Sequence, residues 1–576
     1  MRTLLLLVIG AGCLLIESCT PRPSADQKFE SLADKYIERF VATNPELATS
    51  LGDHRYDTLL SDYSETGLEV QRTLAKSYLD SLSGIDDADL QPVNSIDAKI
   101  LRTNLESTLY ALDTLRENEW NPLAYNVGGA IYGLVARDFA PLRDRLASVK
   151  SRLTKIPAVI AAAEANLKNP PKIHTETAIL QNDGTIGLIK DDLDAYVDQV
   201  PEMKKELAPA REEAVKALKA YGDWLRHDLL PRSNGDFRLG DQKFRRKLFY
   251  SLESNLQKED ILKAAESELK KTQDDLYLSA LPLFRASFPR ITDSTKLADR
   301  PMVIKAVLDK LAGNHPTNAS IVEIAKTDLN SATAFVRTHN LVSVPDEPIK
   351  VIVMPEYQRG VAVAYCDAPG PLEKNGETFF AISPTPKDWT PQRVESFFRE
   401  YNSSMIQDLA IHEGMPGHYL QLAHSNAFKA PTMVRAIFSN GMFVEGWATY
   451  AEQFMAEQGY GGPEVKVEQL KMRLRIIINA ILDQKIHTAG MTESEAMALM
   501  MKEGFQEEGE AAGKWRRACL SSTQLSTYFV GNTELNLLAN AYRSRYPTAD
   551  DKTVNDAILS VGSPAPKYIR QALGLQ

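Results

Sequence analysis

The sequence predicts a mainly α-helical protein with one small β-sheet inserted in its second half, and three observations carry that prediction. Apolar residues recur at intervals of three and four from Ser24 to about Leu341, the spacing that lines one face of a helix. Near residue 345 the period changes, and "IKVIVMP", "GVAVAYC" and "TFFAISP" are short β-branched or aromatic runs separated by turn residues. After "TPQRV" the helical spacing returns and holds to the C-terminus.

Residues 1–19, "MRTLLLLVIGAGCLLIESC", place Arg2 ahead of an apolar run too short to span a bilayer, the pattern of an export signal. The end of that run, Ile16-Glu17-Ser18-Cys19, resembles the lipobox of bacterial lipoproteins. Cys19 is therefore the expected lipid acceptor and mature N-terminus, with a plain secretory signal as the alternative. Residues 20–27 read as a polar, proline-containing tether. This makes the expected location the cell envelope, periplasm or cell surface, with membrane contact only through the lipid on Cys19.

Residues 28–343 form the predicted helical N-terminal region, with stretches such as "FESLADKYIERFVAT" and "EEAVKALKAYGDWLRHDLLP". Its breaks fall on Gly, Pro and Asn clusters at 169–171, 231–236 and 313–320. Residues 344–576 hold the sheet and the segment with candidate chemistry. No linker separates the two regions, so one continuous globule is expected.

Composition narrows the function. Of 576 residues, 44% are hydrophobic and 25% charged, as in a packed globular body. A net charge of -10 argues against nucleic acid, whose phosphates need a basic surface. There is no P-loop or dinucleotide fingerprint for a nucleotide, and no G-x-S-x-G for a serine hydrolase. Of the cysteines, Cys13 lies in the signal and Cys19 is the anchor. Cys366 and Cys519 remain, as a disulfide or as two buried thiols.

The chemistry concentrates in "HEGMPGHYLQ", His412 to Gln421. In the zinc-peptidase motif H-E-x-x-H the histidines are four apart and their rings point the same way. Here His412 and His418 are six apart, about 240° out of phase on a continuous helix. Pro416 lacks an amide proton and disfavours helical geometry at Met415, and Gly417 relaxes the backbone after it. A break between Glu413 and His418 is therefore predicted, and it lets His418 reach the place of the usual second histidine. A zinc peptidase also needs a third protein ligand. Downstream, "FVEGWATYAEQFM" carries Glu445 and Glu452 seven apart on one helical face, and Glu445 is the expected ligand, with Glu452 supporting from the next turn. Asp408, four before His412, is expected to hold its imidazole. Trp447 reads as core packing. "GETFFAISP" reads as an edge strand able to pair with extended substrate.

"HEGMPGHYLQ" followed by "EGWATYAE" resembles the bacterial family designated domain of unknown function 885, many of whose members are lipoproteins. "NPELATSLGDHRYD", "NPLAYNVGG", "ILDQKIHTAGMT" and "QLSTYFVGN" extend the resemblance over nearly the whole mature chain. It implies a large helical body like that of the zincin-like metallopeptidases, with the small sheet just before the active-site helix. Asn555 stands where the family pattern has a histidine. The expected activity is peptide hydrolysis with one Zn²⁺ on His412, His418 and Glu445, and with Glu413 as general base. Tyr528 and His487, both in segments that share the resemblance, are the expected donors to the developing oxyanion, with Asp483 orienting His487. Two alternatives stay open: a metal-dependent hydrolase of another amide or ester, and a non-catalytic lipoprotein that binds metal or peptide.

Overall fold

Ser24 accepts a hydrogen bond from the Gln27 amide while the Gln27 side chain accepts from the Ser24 amide, a reciprocal cap that starts the first helix, α1 (Ala25–Thr43). The computed structural model describes residues 23–354, 363–373, 376–386 and 389–575. The expected signal and Cys19 lie outside them.

From α1 the chain is mostly helical as far as His339. It breaks at the expected places, between Asn166 and Lys172, Arg232 and Gly240, and Leu311 and Ile321, and also between Tyr56 and Glu65, Tyr132 and Leu142, Leu252 and Lys258, and Ser287 and Ser294. The three expected breaks each contain one of the Pro, Gly and Asn clusters. Two helices of this half matter below, α2 (Lys258–Ser287) and α3 (Ile321–His339). The second half adds α4 (Ser403–Glu413), α5 (His418–Ala427), α6 (Gly441–Glu457), α7 (Gly462–Ala489), α8 (Glu508–Leu520) and α9 (Ser526–Arg545).

Between α3 and α4 lie β1 (Ile349–Val353), β2 (Ala364–Asp367) and β3 (Thr378–Ile382), which pair in the order β1-β3-β2. β3 runs parallel to β1, with Ile349 opposite Thr378, and antiparallel to β2, with Ala364 opposite Ile382. This corrects one expectation. The strand of "GETFFAISP" is the central one, and both of its hydrogen-bonding edges are already used, so it cannot receive substrate. β1 and β2 form the edges, and β2 packs on α4.

α7 explains why the two halves share one core. Its 28 residues span about 42 Å, and it is buried along most of its length, with α2 lying against it. Ile477 and Ile481 of α7 and Phe529 of α9 pack in one cluster with Phe29, Tyr36 and Leu101 from the N-terminal helices. Arg435 Nε also donates to Asp97 across the same boundary at 2.6 Å, with both side chains buried. Cys366 and Cys519 are both free thiols. Among the described residues no helix is long and apolar enough to cross a membrane.

Candidate metal centre

α4 begins on Asn402, whose side chain accepts from the Ser404 and Met405 amides, and it ends at Glu413. The chain leaves the helix for residues 414–417, and α5 restarts at His418. The loop folds back on the helix it has just left. The amides of Gly414 and Met415 both donate to the Ala410 carbonyl at 3.1 Å, and the Gly417 amide donates to the Ile411 carbonyl at 2.9 Å. Pro416 adds no donor, and its carbonyl accepts from Trp447 Nε1 at 2.8 Å. Trp447 is thus buried in the core and also pins the loop. Position 417 admits only glycine, because a Cβ there would lie 2.0 Å from the His412 carbonyl oxygen. The loop brings the His412 and His418 rings to a centroid separation of 4.6 Å with planes 85° apart.

α6 supplies the carboxylates. Glu445 Oε2 lies 3.5 Å from His418 Nε2 and 3.9 Å from His412 Nε2. One ligand atom from each of the three residues falls within 4.8 Å of the others, so the group could hold a metal ion. Two turns on, Glu452 accepts a hydrogen bond from His412 Nδ1 at 2.5 Å. That bond holds a proton on His412 Nδ1 and turns Nε2 toward Glu445.

The electrostatics follow from burying several acids together. Burial alone would lower the His412 pKa, but the bonded Glu452 and the charges of Glu413 and Glu445 raise it to about 10. For Glu445 burial works upward and is outweighed by the hydrogen bond and charge of His418, the charge of His412 and a hydrogen bond from Tyr528, so its carboxyl sits below the ordinary value. Glu413 is nearly buried at the end of α4, and among the described residues no hydrogen bond engages its carboxylate. Its charge is felt by His412 and by Cys366 of β2.

Tyr528 reaches this centre from α9. Its hydroxyl oxygen accepts from Arg517 Nη2 at 3.1 Å and from Gln524 Nε2 at 3.2 Å, which leaves its own proton to donate toward Glu445. Burial and the Glu445 charge keep the phenol protonated by raising its pKa. Gln524 and Arg517 escaped the sequence reading. Arg517 sits in "GKWRRACL", where a charged residue on a helix reads as a solvated face.

The model of a family described as "Bacterial protein of unknown function (DUF885)" matches residues 45–573. The chain belongs to this family. Among solved structures, this DUF885 chain is 32% identical to a candidate lipoprotein of unknown function from Shewanella oneidensis, with a TM-score of 0.79 over 95% of this chain and 99% of that one. It also matches a candidate lipoprotein from Colwellia psychrerythraea at 16% identity, with a TM-score of 0.77 over 96% and 99% of the two chains. An M32 carboxypeptidase from Deinococcus radiodurans R1 aligns over 95% of this chain and 96% of that one, but at 11% identity and a TM-score of 0.39. That likeness is too slight to argue from. No curated protein matches the chain.

Several residues of the DUF885 chain sit elsewhere than expected. Asp408 does not hold His412, because the only Nδ1 proton is already donated to Glu452. Among the described residues neither Asp408 oxygen has a hydrogen-bond partner, and burial together with the Glu452 charge pushes its carboxyl well above the usual range. His487 is not an oxyanion donor. Its Nε2 proton is shared between the carbonyls of Ala518 at 3.0 Å and Ser521 at 2.8 Å, and its ring lies against Phe244 and Phe237. Asp483 does not orient that ring by a hydrogen bond. It accepts from the amides of Thr523 and Ser526 and from the Ser526 hydroxyl, satisfying amides at the start of α9 that have no partner within the helix. His487 and Asp483 thus secure the turn that leads into the helix carrying Tyr528. Asn555 accepts from the Tyr450 hydroxyl and donates to the Leu341 carbonyl, a buried bridge away from the His412, His418 and Glu445 group.

Proposed function

We propose that this DUF885 protein is a zinc-dependent peptidase, lipid-anchored at Cys19 in the cell envelope. The observation that carries this reading is the spacing of the three donors. Tetrahedral zinc with ligands near 2.1 Å requires donor atoms about 3.4 Å apart, and Glu445 lies 3.5 and 3.9 Å from the two Nε2 atoms. Two imidazoles and one carboxylate are also the donor set of a catalytic zinc, and the Glu452 bond to Nδ1 is the usual outer support for such a ligand.

His412, His418 and Glu445 would hold a zinc ion, which would supply Lewis acidity and lower the pKa of a water toward about 7. Glu413 accepts a proton from the attacking water as its oxygen bonds to the peptide carbonyl carbon. The Tyr528 hydroxyl donates to the carbonyl oxygen as it gains charge. Glu413 then returns the proton to the peptide nitrogen and the C–N bond breaks. The second proton of the water passes from the new carboxyl group to the freed amine, and a carboxylate and an ammonium group leave.

The test is digestion of a peptide library by the purified mature chain, with zinc content measured alongside. Cleavage should stop on chelation and return with Zn²⁺. Glu413→Gln should keep the metal and lose turnover by at least about 100-fold. Unchanged zinc content in both His412→Ala and Glu445→Ala removes the metal assignment, and full hydrolysis by Glu413→Gln removes the general base.

A further inference from the structure

Among the described residues no carboxylate comes within ion-pair distance of the Lys514 amino group, and Glu510 and Glu445 act on it only at longer range. Lys514 lies on α8 with 9% of its surface exposed, and among the described residues no hydrogen bond reaches its amino group. Other deeply buried cations are engaged: Arg435 by Asp97, Lys471 and Arg475 by Glu400, and Arg152 by the Leu59 and Ala130 carbonyls and the Thr49 hydroxyl. Glu510, one turn before Lys514, is engaged by the Tyr401 hydroxyl at 3.0 Å and by Arg475 at 3.7 Å. Burial pushes the Lys514 ammonium down to about 7, and Arg517 and Arg475 add to that effect against the opposing charges of Glu510 and Glu445.

Arg517 lies three residues on, along the same side of α8. Its guanidinium donates to the Gln524 side-chain oxygen at 2.9 Å and to the Tyr528 hydroxyl at 3.1 Å, both neutral partners. Arg517 therefore stands against Tyr528, and both cations lie within the field of Glu445 with no carboxylate in ion-pair contact among the described residues. The chain has 76 acidic against 66 basic residues, so carboxylates to pair with them are not scarce. A buried lysine left unpaired is costly, and an arriving anion recovers that cost.

We propose that Lys514 and Arg517 form an anion subsite that receives the free α-carboxylate of a peptide, so that the enzyme removes residues from the C-terminus. This rests on the peptidase reading above. The α-carboxylate is the one anion that any peptide carries at a fixed reach of one residue from its last peptide bond. Its two oxygens suit a guanidinium and an ammonium approaching together.

The experiment uses the full mature chain loaded with zinc and carrying Glu413→Gln, so that peptides bind without being consumed. Calorimetry compares an N-acetylated tri-alanine ending in a free acid, the same peptide amidated, and an amidated peptide ending in glutamate. The acid should bind about 30-fold more tightly than either amide. Lys514→Met should reduce the acid to the level of the amide, and Lys514→Arg should restore the preference, with melting curves showing that both variants fold. In the enzyme with Glu413 intact, residues should be released singly from the C-terminus, and amidated peptides should be spared. Equal binding of acid and amide, or a preference that survives Lys514→Met, overturns the subsite. Tight binding of the amidated glutamate peptide transfers the anion to a side chain and overturns the α-carboxylate assignment. If both peptides are cut alike, the subsite fails and the peptidase reading stands. If neither is cut while the binding preference holds, the reverse is true.

Discussion

Gly446 and Gly531 meet backbone to backbone where α6 crosses α9: a Cβ on Gly446 would lie 2.6 Å from Gly531 Cα, and one on Gly531 would lie 2.7 Å from Gly446 Cα. Glu445 is the residue before this contact on one helix, and Tyr528 is one turn before it on the other. The close approach is what lets the phenol reach the carboxylate.

Gly531→Ala should therefore damage both stability and the metal centre. The new methyl would lie 2.1 Å from the Met442 carbonyl oxygen, so the helices must part. A cost of about 3 kcal/mol or more is expected, seen as a lower Tm and reduced zinc content. Gly441→Ala is the control on the same helix, since a Cβ there meets nothing within 4 Å. It should leave both readings unchanged.

Removing Glu452 should weaken metal binding without touching a ligand. The His412 ring loses the acceptor for its Nδ1 proton, and zinc affinity should fall about 10- to 100-fold in Glu452→Ala, measured by competition with a coloured chelator. Glu452→Gln should lie between, because an amide oxygen still accepts but carries no charge. Asp408→Asn should bind zinc as the native chain does. A loss there as large as in Glu452→Ala would return the support of His412 to Asp408.

Tyr528 and His487 should separate cleanly. Tyr528→Phe should lower kcat about 100-fold with zinc retained if its hydroxyl, which points to Glu445, serves as the proposed donor to the carbonyl oxygen. His487→Ala removes the donor to the Ala518 and Ser521 carbonyls and opens a cavity between Phe244 and Phe237. It should cost about 2–4 kcal/mol of stability and leave the kcat of the folded fraction near native. The opposite pattern in a steady-state assay with parallel melting curves would exchange the two roles.

A pH effect on stability should trace to Glu253. Burial raises its carboxyl from 4.5 to about 7, only partly offset by Lys567 and Asn440. A raised acid contributes stability that is complete below pH 4.5 and is lost as pH rises through about 7. Glu253→Gln should thus match the native chain near pH 4.5 and exceed it by on the order of 3 kcal/mol at pH 8. Denaturant midpoints across this range provide the check, and parallel curves for the two proteins would refute it.

Much of the site is legible locally. The break at Pro416 and Gly417 can be read from residue chemistry alone, and so can the shared face of Glu445 and Glu452. What cannot be read is which partner each group takes. Spacing makes Asp408 the expected support for His412, yet Glu452, on another helix, accepts its proton. Asp483 and His487 share a helical face as the spacing suggests, but the turn before α9 claims them both. The order of the three strands is likewise hidden, since alternation within "TFFAISP" does not reveal that β1 and β2 pair on either side of it.

By itself the sequence determined the mainly helical class, the position of the small sheet, the broken helix at the two histidines and the family to which the chain belongs. Tertiary structure alone decided that His412 bonds Glu452, that α6 and α9 touch at two glycines, and that among the described residues Lys514 has no carboxylate in ion-pair contact. The physical reason is range. Backbone preference and helical period act over about ten residues or fewer. Pairing of a buried donor, by contrast, depends on which helices pack together, here across 40 residues between His412 and Glu452.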